Sequence, residues 1–271
     1  MDFDQVAAAW GRWAAVFQNG AHPVSERIME RARVKNGDTV LDLGTGFGEP
    51  AISAAKAAAP AGRVVGIDIS PAMISLARER AHETGVANVE FVVADASAYM
   101  TDERFDAIIS RFGLMFLPTL SASLVHYRGL LRDGGRIAAA VWGTPAEVPM
   151  ISLPMAAGAR RFGLPPPPLE GGPFALHDSA ALREQFMAAG YDDVAIHDMT
   201  ATFPFESPGQ YFAYMTDVAP PVNALLKQLD AEQAEEFRRI VEREAAERFG
   251  GADGTMSIPN RVFVIGAAAS G

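Results

Sequence analysis

The 271-residue chain contains no cysteine, which excludes both a disulfide framework and a thiolate metal site. Basic residues are in short supply, 23 against 33 acidic ones for a net charge of −10. That balance disfavours nonspecific attraction to phosphate backbones or anionic bilayers, so neither a nucleic-acid nor a membrane partner is expected. No uninterrupted apolar run reaches the roughly 18 residues of a membrane-spanning helix. The opening Met-Asp-Phe-Asp-Gln also lacks the basic start and apolar run of a secretory leader, and the expectation is a cytoplasmic protein. Internal repeats are absent too, which sets aside array architectures. What is present is ordinary globular composition, 49% hydrophobic and 21% charged, in a chain long enough for one large α/β domain with elaborations.

The organising stretch is Val-Leu-Asp-Leu-Gly-Thr-Gly-Phe-Gly-Glu-Pro at 40–50. Residues of strand character run into Gly44, Gly46 and Gly48, and a helix opens behind them. Glycines permit a positive-φ turn and close approach of a ligand, and the free N–H groups of the following helix favour an electron-rich guest. A dinucleotide fingerprint G-x-G-x-x-G would need glycine at 49, where Glu49 would repel a pyrophosphate. A nicotinamide-dependent oxidoreductase is therefore an alternative, but a disfavoured one.

Along the chain, Phe3, Val6, Trp10, Trp13 and Phe17 line one face of an amphipathic helix over 3–18. Asn19-Gly20 reads as a turn, and Pro23 to Ala32 as a second short helix. From Thr39 strands and helices alternate. Strands are expected at 39–43, 63–69, 89–94, 105–110 and 136–142, and helices at 50–59, 70–84 and 120–132. Five such strands argue for βαβ units in a parallel, doubly wound sheet. Ligands of such sheets bind beyond the carboxyl ends of the strands, which aligns the glycine loop, Asp68, Asp95 and Arg111 along one edge. Proline and glycine then break the pattern over 143–177, including the run Pro165 to Pro168, with one short helix near 150–162. Regular structure resumes with a helix at 179–189 and a strand at 193–203. A helix over 207–227 is interrupted at Pro220-Pro221, one from a capping box at Asp230 and Gln233 runs to Phe249, and a last strand spans 261–267.

Singly, Asp68 and Asp95 read equally well as helix-capping aspartates or as acceptors for ribose hydroxyls and an exocyclic amine. Together with Asp-Leu-Gly-x-Gly-x-Gly and the run Phe-Asp-Ala-Ile-Ile-Ser-Arg-Phe at 105–112, and in this order, they resemble the class I S-adenosylmethionine-dependent methyltransferases over about residues 37 to 145. The resemblance implies a Rossmann-like α/β fold: a doubly wound, mostly parallel seven-stranded sheet, its last strand antiparallel, with helical lid elements. It implies that Asp42, Gly44, Thr45, Gly46 and Gly48 hold the methionine end of the cofactor. Asp68 would take the ribose, Ile69 and Met73 the faces of the adenine, and Asp95-Ala96 its edge, while Arg111 and Phe112 line the floor near the methionine tail. The run Ser-Arg-Phe-Gly-Leu-Met-Phe and the later Val-Trp are similar to a bacterial subgroup acting on small metabolites, including those of secondary metabolism. The product would be S-adenosylhomocysteine.

The domain reading is an N-terminal helical arm over 1–36, a cofactor-binding core over 37–142, an insert over 143–177, and core completion over 178–271 with a helical insert near 207–250. The arm and the two inserts would form the lid. A sulfonium is already an activated electrophile, so methyl transfer needs positioning and dryness, with a base only for a protonated acceptor. Candidate bases are His22, His177, Tyr211 and Tyr214. His82 and His126 fall on sheet-flanking helices, and His197 lies within a strand. Trp13, Phe17, Trp142, Tyr211 and Tyr214 are the candidate wall of an acceptor pocket. Asp102, Glu103 and Asp106 read as a solvated turn and a strand residue, so no metal is invoked. The expected partner is a small, apolar methyl acceptor at a monomer or homodimer; a non-catalytic ligand-binding or partner protein on the same fold is the other alternative.

Overall fold

The computed structural model describes residues 4–163, 169 and 171–269; Phe3 and the run Pro165 to Pro168 lie outside them. After a single 3-10 turn at Asp4–Val6, helix α1 (Ala7–Ala32) leads to strand β1 (Thr39–Leu43). Helix α2 (Ala51–Ala58), strand β2 (Arg63–Asp68), helix α3 (Pro71–Glu83) and strand β3 (Val89–Val93) follow. Next come β4 (Phe105–Arg111), α4 (Leu120–Leu130), β5 (Leu131–Trp142), α5 (Pro149–Phe162) and α6 (Ser179–Ala188). The chain closes with β6 (Tyr191–Phe205), α7 (Pro208–Val218), α8 (Pro220–Leu226), α9 (Ala231–Phe249) and β7 (Met256–Ala269). The sheet has the seven strands expected, in the order β3-β2-β1-β4-β5-β7-β6. All pairings are parallel except those of β7, which runs antiparallel to both β5 and β6.

Strand alternation divides the apolar side chains between two cores, one on each face. Val40, Ala107, Ile109, Ala138 and Ala140 pack under α1, α2, α3, α5, α7 and α9. Leu41, Leu43, Ile108, Ile137 and Val141 face α4 and α6. The same period sets Asp42 and Arg111 on the α1 side, each at the last turn of its strand toward the carboxyl edge. The order reverses between β1 and β4, which opens the ligand crevice of a doubly wound sheet at that point.

Two expectations need correction. Asn19-Gly20 is not a turn, because α1 runs unbroken for 26 residues through Gly20 and Pro23. A Cβ on Gly20 would stand 2.4 Å from the Phe203 ring, so the glycine marks close helix-to-sheet contact. An interior proline costs a helix about 3 kcal/mol and a glycine about 1. Burial of Phe17, Val24 and Ile28, at roughly 1.5–3 kcal/mol each, exceeds that cost. The last two strands are also longer than expected. In the ribbon they form, Pro259 stands opposite Thr202, and Pro204 opposite Ser257. Pairing of β7 with β5 ends at Val262, so beyond it β7 has a strand on one side only and tolerates proline. The interrupted helix near Pro220 and the Asp230–Gln233 capping box are found as expected.

Replacing Gly20 by alanine should lower the stability measured by urea unfolding by about 1–3 kcal/mol, the usual cost of overpacking, despite alanine's better helix propensity. A more stable Gly20→Ala protein would contradict the contact with Phe203.

Candidate active site

The loop after β1 is shaped by left-handed backbone at Gly44, Gly46 and Gly48, with φ of +67°, +54° and +99°. Gly48 is also sterically required: a Cβ there would come within 3.3 Å of the Ala77 backbone on α3. Thr45 N–H donates to the Ile67 carbonyl at 2.9 Å and Gly46 N–H to Asp68 Oδ2 at 2.9 Å, tying the loop to the end of β2. The Glu49 carboxylate turns back onto α2, accepting from Ser53 Oγ at 2.7 Å and Ser53 N–H at 3.3 Å.

Asp42 is completely buried. Its Oδ2 accepts from Ala51 N–H at the start of α2, 3.1 Å away. Its Oδ1 and the neighbouring Thr45 Oγ1 are both buried without a hydrogen-bond partner of ordinary geometry. Burial pushes the Asp42 carboxyl up to about 7, opposed by Thr45, the Arg111 charge and the Ala51 N–H. Arg111 is buried beside it, and desolvation brings its guanidinium down to about 10 against the pull of Glu49 and Asp42. Arg111 Nη1 donates to Ser25 Oγ at 2.7 Å and Gln18 Oε1 at 2.9 Å on α1; Nη2 donates to the Glu49 carbonyl at 3.3 Å. One side chain thus joins β4, the glycine loop and the helix above it.

Aromatic rings close over this corner. Phe47, inside the glycine loop, meets Trp10 at 6.0 Å and Phe17 at 6.2 Å. Phe112, at a φ of +61°, stacks on Trp142 with ring centroids 3.8 Å apart and planes 6° from parallel. Trp13 presents its edge to Tyr214 at 5.7 Å, and its Nε1–H donates to Asp217 Oδ2 at 2.8 Å, where Arg12 also pairs at 3.0 Å. The other end of the crevice is open: Ile69 is 61% exposed, Met100 79%, and Asp95 is exposed with its Oδ1 accepting from Ser97. Asp68 is half-buried, its oxygens accepting from Gly46 and Ser70 N–H groups, and burial raises its carboxyl above the usual range. Met73 is buried on α3, while half-buried Ala96 contributes its carbonyl to the Tyr127 hydroxyl at 2.9 Å.

Of the candidate bases, His22 sits on the exposed face of α1, 3.4 Å from Glu26. His177 is half-buried with Nδ1 2.8 Å from the Phe174 carbonyl. Tyr211 is fully buried and spends its hydroxyl on the Met150 carbonyl at 2.9 Å, and burial pushes it and Tyr214 far above the usual phenol range. Several contributors escaped the sequence reading. Gln18, Ser25 and Asp217 act across more than eighty residues of separation and have no local signature. Asp4 accepts from Ser70 Oγ and from Ala72 N–H at the start of α3. Phe47 was visible in principle, as the one large residue among the three glycines. A surface cavity of about 670 Å³, lined by Arg78, His82 and Phe91, lies at the opposite end of the sheet from the loop.

The methyltransferase domain family matches residues 34–155, which take in the glycine loop, Asp68, Asp95 and Arg111. Residues 34–155 therefore match a methyltransferase domain. The chain is 35% identical over 137 residues to aklanonic acid methyltransferase DauC of Streptomyces sp. strain C5, a match covering 50% of this chain and 61% of that one. It is 28% identical over 216 residues to the ubiquinone/menaquinone biosynthesis C-methyltransferase UbiE of Pseudomonas putida, covering 73% of this chain and 83% of that one. Among solved structures, Haemonchus contortus phosphoethanolamine N-methyltransferase 2 in complex with S-adenosyl-L-methionine has a TM-score of 0.55 at 19% identity, over 92% of this chain and 53% of that one. At that identity the likeness concerns the fold.

The residues fit the family's cofactor. Asp42 Oδ1, beside Thr45 Oγ1, is a buried acceptor suited to a cationic group such as an α-ammonium, and a buried carboxyl near neutrality gains most from one. Because the folded carboxyl lies near 7, above its ordinary value of 3.8, folding favours its protonated form. Stability should therefore fall as pH rises from about 4 through 7 and level off above, with Asp42→Asn flattening that slope in urea titrations. Over the same interval S-adenosylhomocysteine should bind more tightly with rising pH, releasing a proton seen by calorimetry in buffers of different ionisation heat. A pH-independent affinity would count against this role of Asp42.

Proposed function

We propose that the chain transfers a methyl group from S-adenosylmethionine to an oxygen, nitrogen or carbon of a small, largely apolar metabolite. The cofactor supplies a methyl already activated on a sulfonium. The chain's own residues have to bind, orient and exclude water. In this reading Asp42, Thr45 and the loop glycines hold the amino-acid end, and Arg111 keeps the loop and α1 together. Asp68 receives the ribose hydroxyls, Asp95 with Ala96 meets the adenine edge, and Ile69 and Met73 meet its faces.

The aromatic corner carries the acceptor half of the proposal. Phe17, Phe112, Trp142 and Phe203 form one contiguous wall, with ring centroids 3.8–6.2 Å apart. Trp13 and Tyr214 extend it to α7. Flat, apolar acceptors gain from such faces. The candidate bases support a reaction without a base from this chain: His22 is solvent-facing and the phenols are held protonated by burial. The acceptor atom is then one that is nucleophilic as it arrives, and kcat should follow the acceptor's own ionisation.

Calorimetry with S-adenosylhomocysteine tests the cofactor half: Asp68→Ala should weaken binding about 10- to 100-fold, the worth of hydrogen bonds to a charged group. Undiminished affinity would sink the assignment. Radiolabelled methyl transfer over a panel of planar phenols, enols and carboxylates tests the acceptor half. There His177→Ala should keep at least about a tenth of the rate, whereas a loss of about 10² or more would mark a general base.

A further inference from the structure

At the opposite edge of the sheet from the glycine loop, where α1 ends and β5 leaves its bulge, a cavity of about 260 Å³ is lined by Glu30, Arg31, Arg33, Arg136, Asp193 and Gly266. Arg31 Nε is buried with no hydrogen-bond partner, and Arg31 makes no ion pair among the described residues. Arg136 is 8% exposed; its Nε donates to the Arg31 carbonyl at 3.0 Å and its Nη1 to Asp193 Oδ2 at 2.9 Å. Arg33 reaches the same Asp193 oxygen at 3.9 Å. Glu30 is engaged elsewhere, with Arg27 at 2.6 Å. One carboxylate therefore faces three guanidiniums, an excess of two positive charges in a chain whose net charge is −10.

The backbone is arranged to make this cluster. Asp193 adopts left-handed backbone at a φ of +50°, in the bulge between Asp192 and Ala195 that turns its side chain toward Arg136. Gly266 lets Arg31 cross β7, since a Cβ there would stand 3.0 Å from the Arg31 Cβ. The last carbonyls of α1 are already taken: Met29 O accepts from Val34 N–H at 3.0 Å, Glu30 O from Arg33 N–H at 3.1 Å, and Arg31 O from Arg136. That mutes the unfavourable end of the helix dipole.

We propose that this basic cavity binds a phosphate group. Guanidiniums match phosphate and carboxylate alike, but only a dianion neutralises the excess of two. The volume holds a phosphate and several waters, each about 30 Å³ in the liquid. The donor left unpaired in a buried position is what a bound oxyanion would satisfy.

The test is calorimetry of the full chain at constant ionic strength with inorganic phosphate, with glycerol 3-phosphate, and with acetate as control. Phosphate should bind one to one with a Kd at or below about 1 mM, acetate at least about tenfold more weakly. A preference for glycerol 3-phosphate would identify a phosphomonoester as ligand, and equal binding the free ion. Arg31→Gln should weaken phosphate about tenfold or more, and Asp193→Asn should leave it equal or tighter. Exposed Arg33→Gln, which should weaken it less, serves if Arg31→Gln does not fold. Saturation with S-adenosylhomocysteine should leave phosphate affinity unchanged. No binding at about 10 mM phosphate, undiminished binding by both arginine variants, or displacement by S-adenosylhomocysteine would overturn the proposal.

Discussion

The contacts of Arg111 are the constraint on which the catalytic end of this molecule depends. A guanidinium withdrawn from water is costly unless its donors are satisfied, and here they are satisfied by two different parts of the chain. Gln18 and Ser25 on α1 take one nitrogen, the Glu49 carbonyl of the glycine loop takes the other, and Phe17 lies under the plane at 5.5 Å. Shifting any partner would leave a buried donor unmet, so helix, loop and strand end keep a single mutual position. Asp42, behind the loop, inherits its desolvated surroundings from the same arrangement.

The crevice is consequently asymmetric. At its aromatic corner it is roofed by α1, floored by Phe112 on Trp142, and flanked by α7, which Asp217 fastens to Arg12 and Trp13. Where Ile69, Asp95 and Met100 stand it is open to water. In the proposed reading, dryness is concentrated where an electrophile needs protection from hydrolysis, and the open end is the path for exchange of the nucleoside.

Much of this was legible from residues alone, and the boundary of legibility is physical. The alternation of β1 to β5, the loop glycines and the acids at strand ends are local patterns, and they survive in the structure because the parallel core reinforces them. The continuity of α1 was illegible because Gly20 and Pro23 are locally helix-breaking; what overrules them is Phe203, 183 residues away in sequence. The partners of Arg111 escaped for the same reason. Tyr211 shows a further limit. Its spacing from Tyr214 reads as a pocket face, yet the Met150 carbonyl, brought over by α5, claims its hydroxyl.

The position of β7 has a consequence for the order in which the molecule can assemble. Strand β7 follows β6 in the chain yet lies between β5 and β6, so β6 has no seat in the sheet until β7 is in place. Helix α1 rests partly on β6 and β7 through contacts such as Gly20 against Phe203. During synthesis the parallel half, glycine loop included, can form early from its neighbouring βαβ units, whereas the pairing that seats α1 is among the most non-local in the fold. Helix α1 therefore waits for β7, and the dry corner that it roofs is among the later features to form.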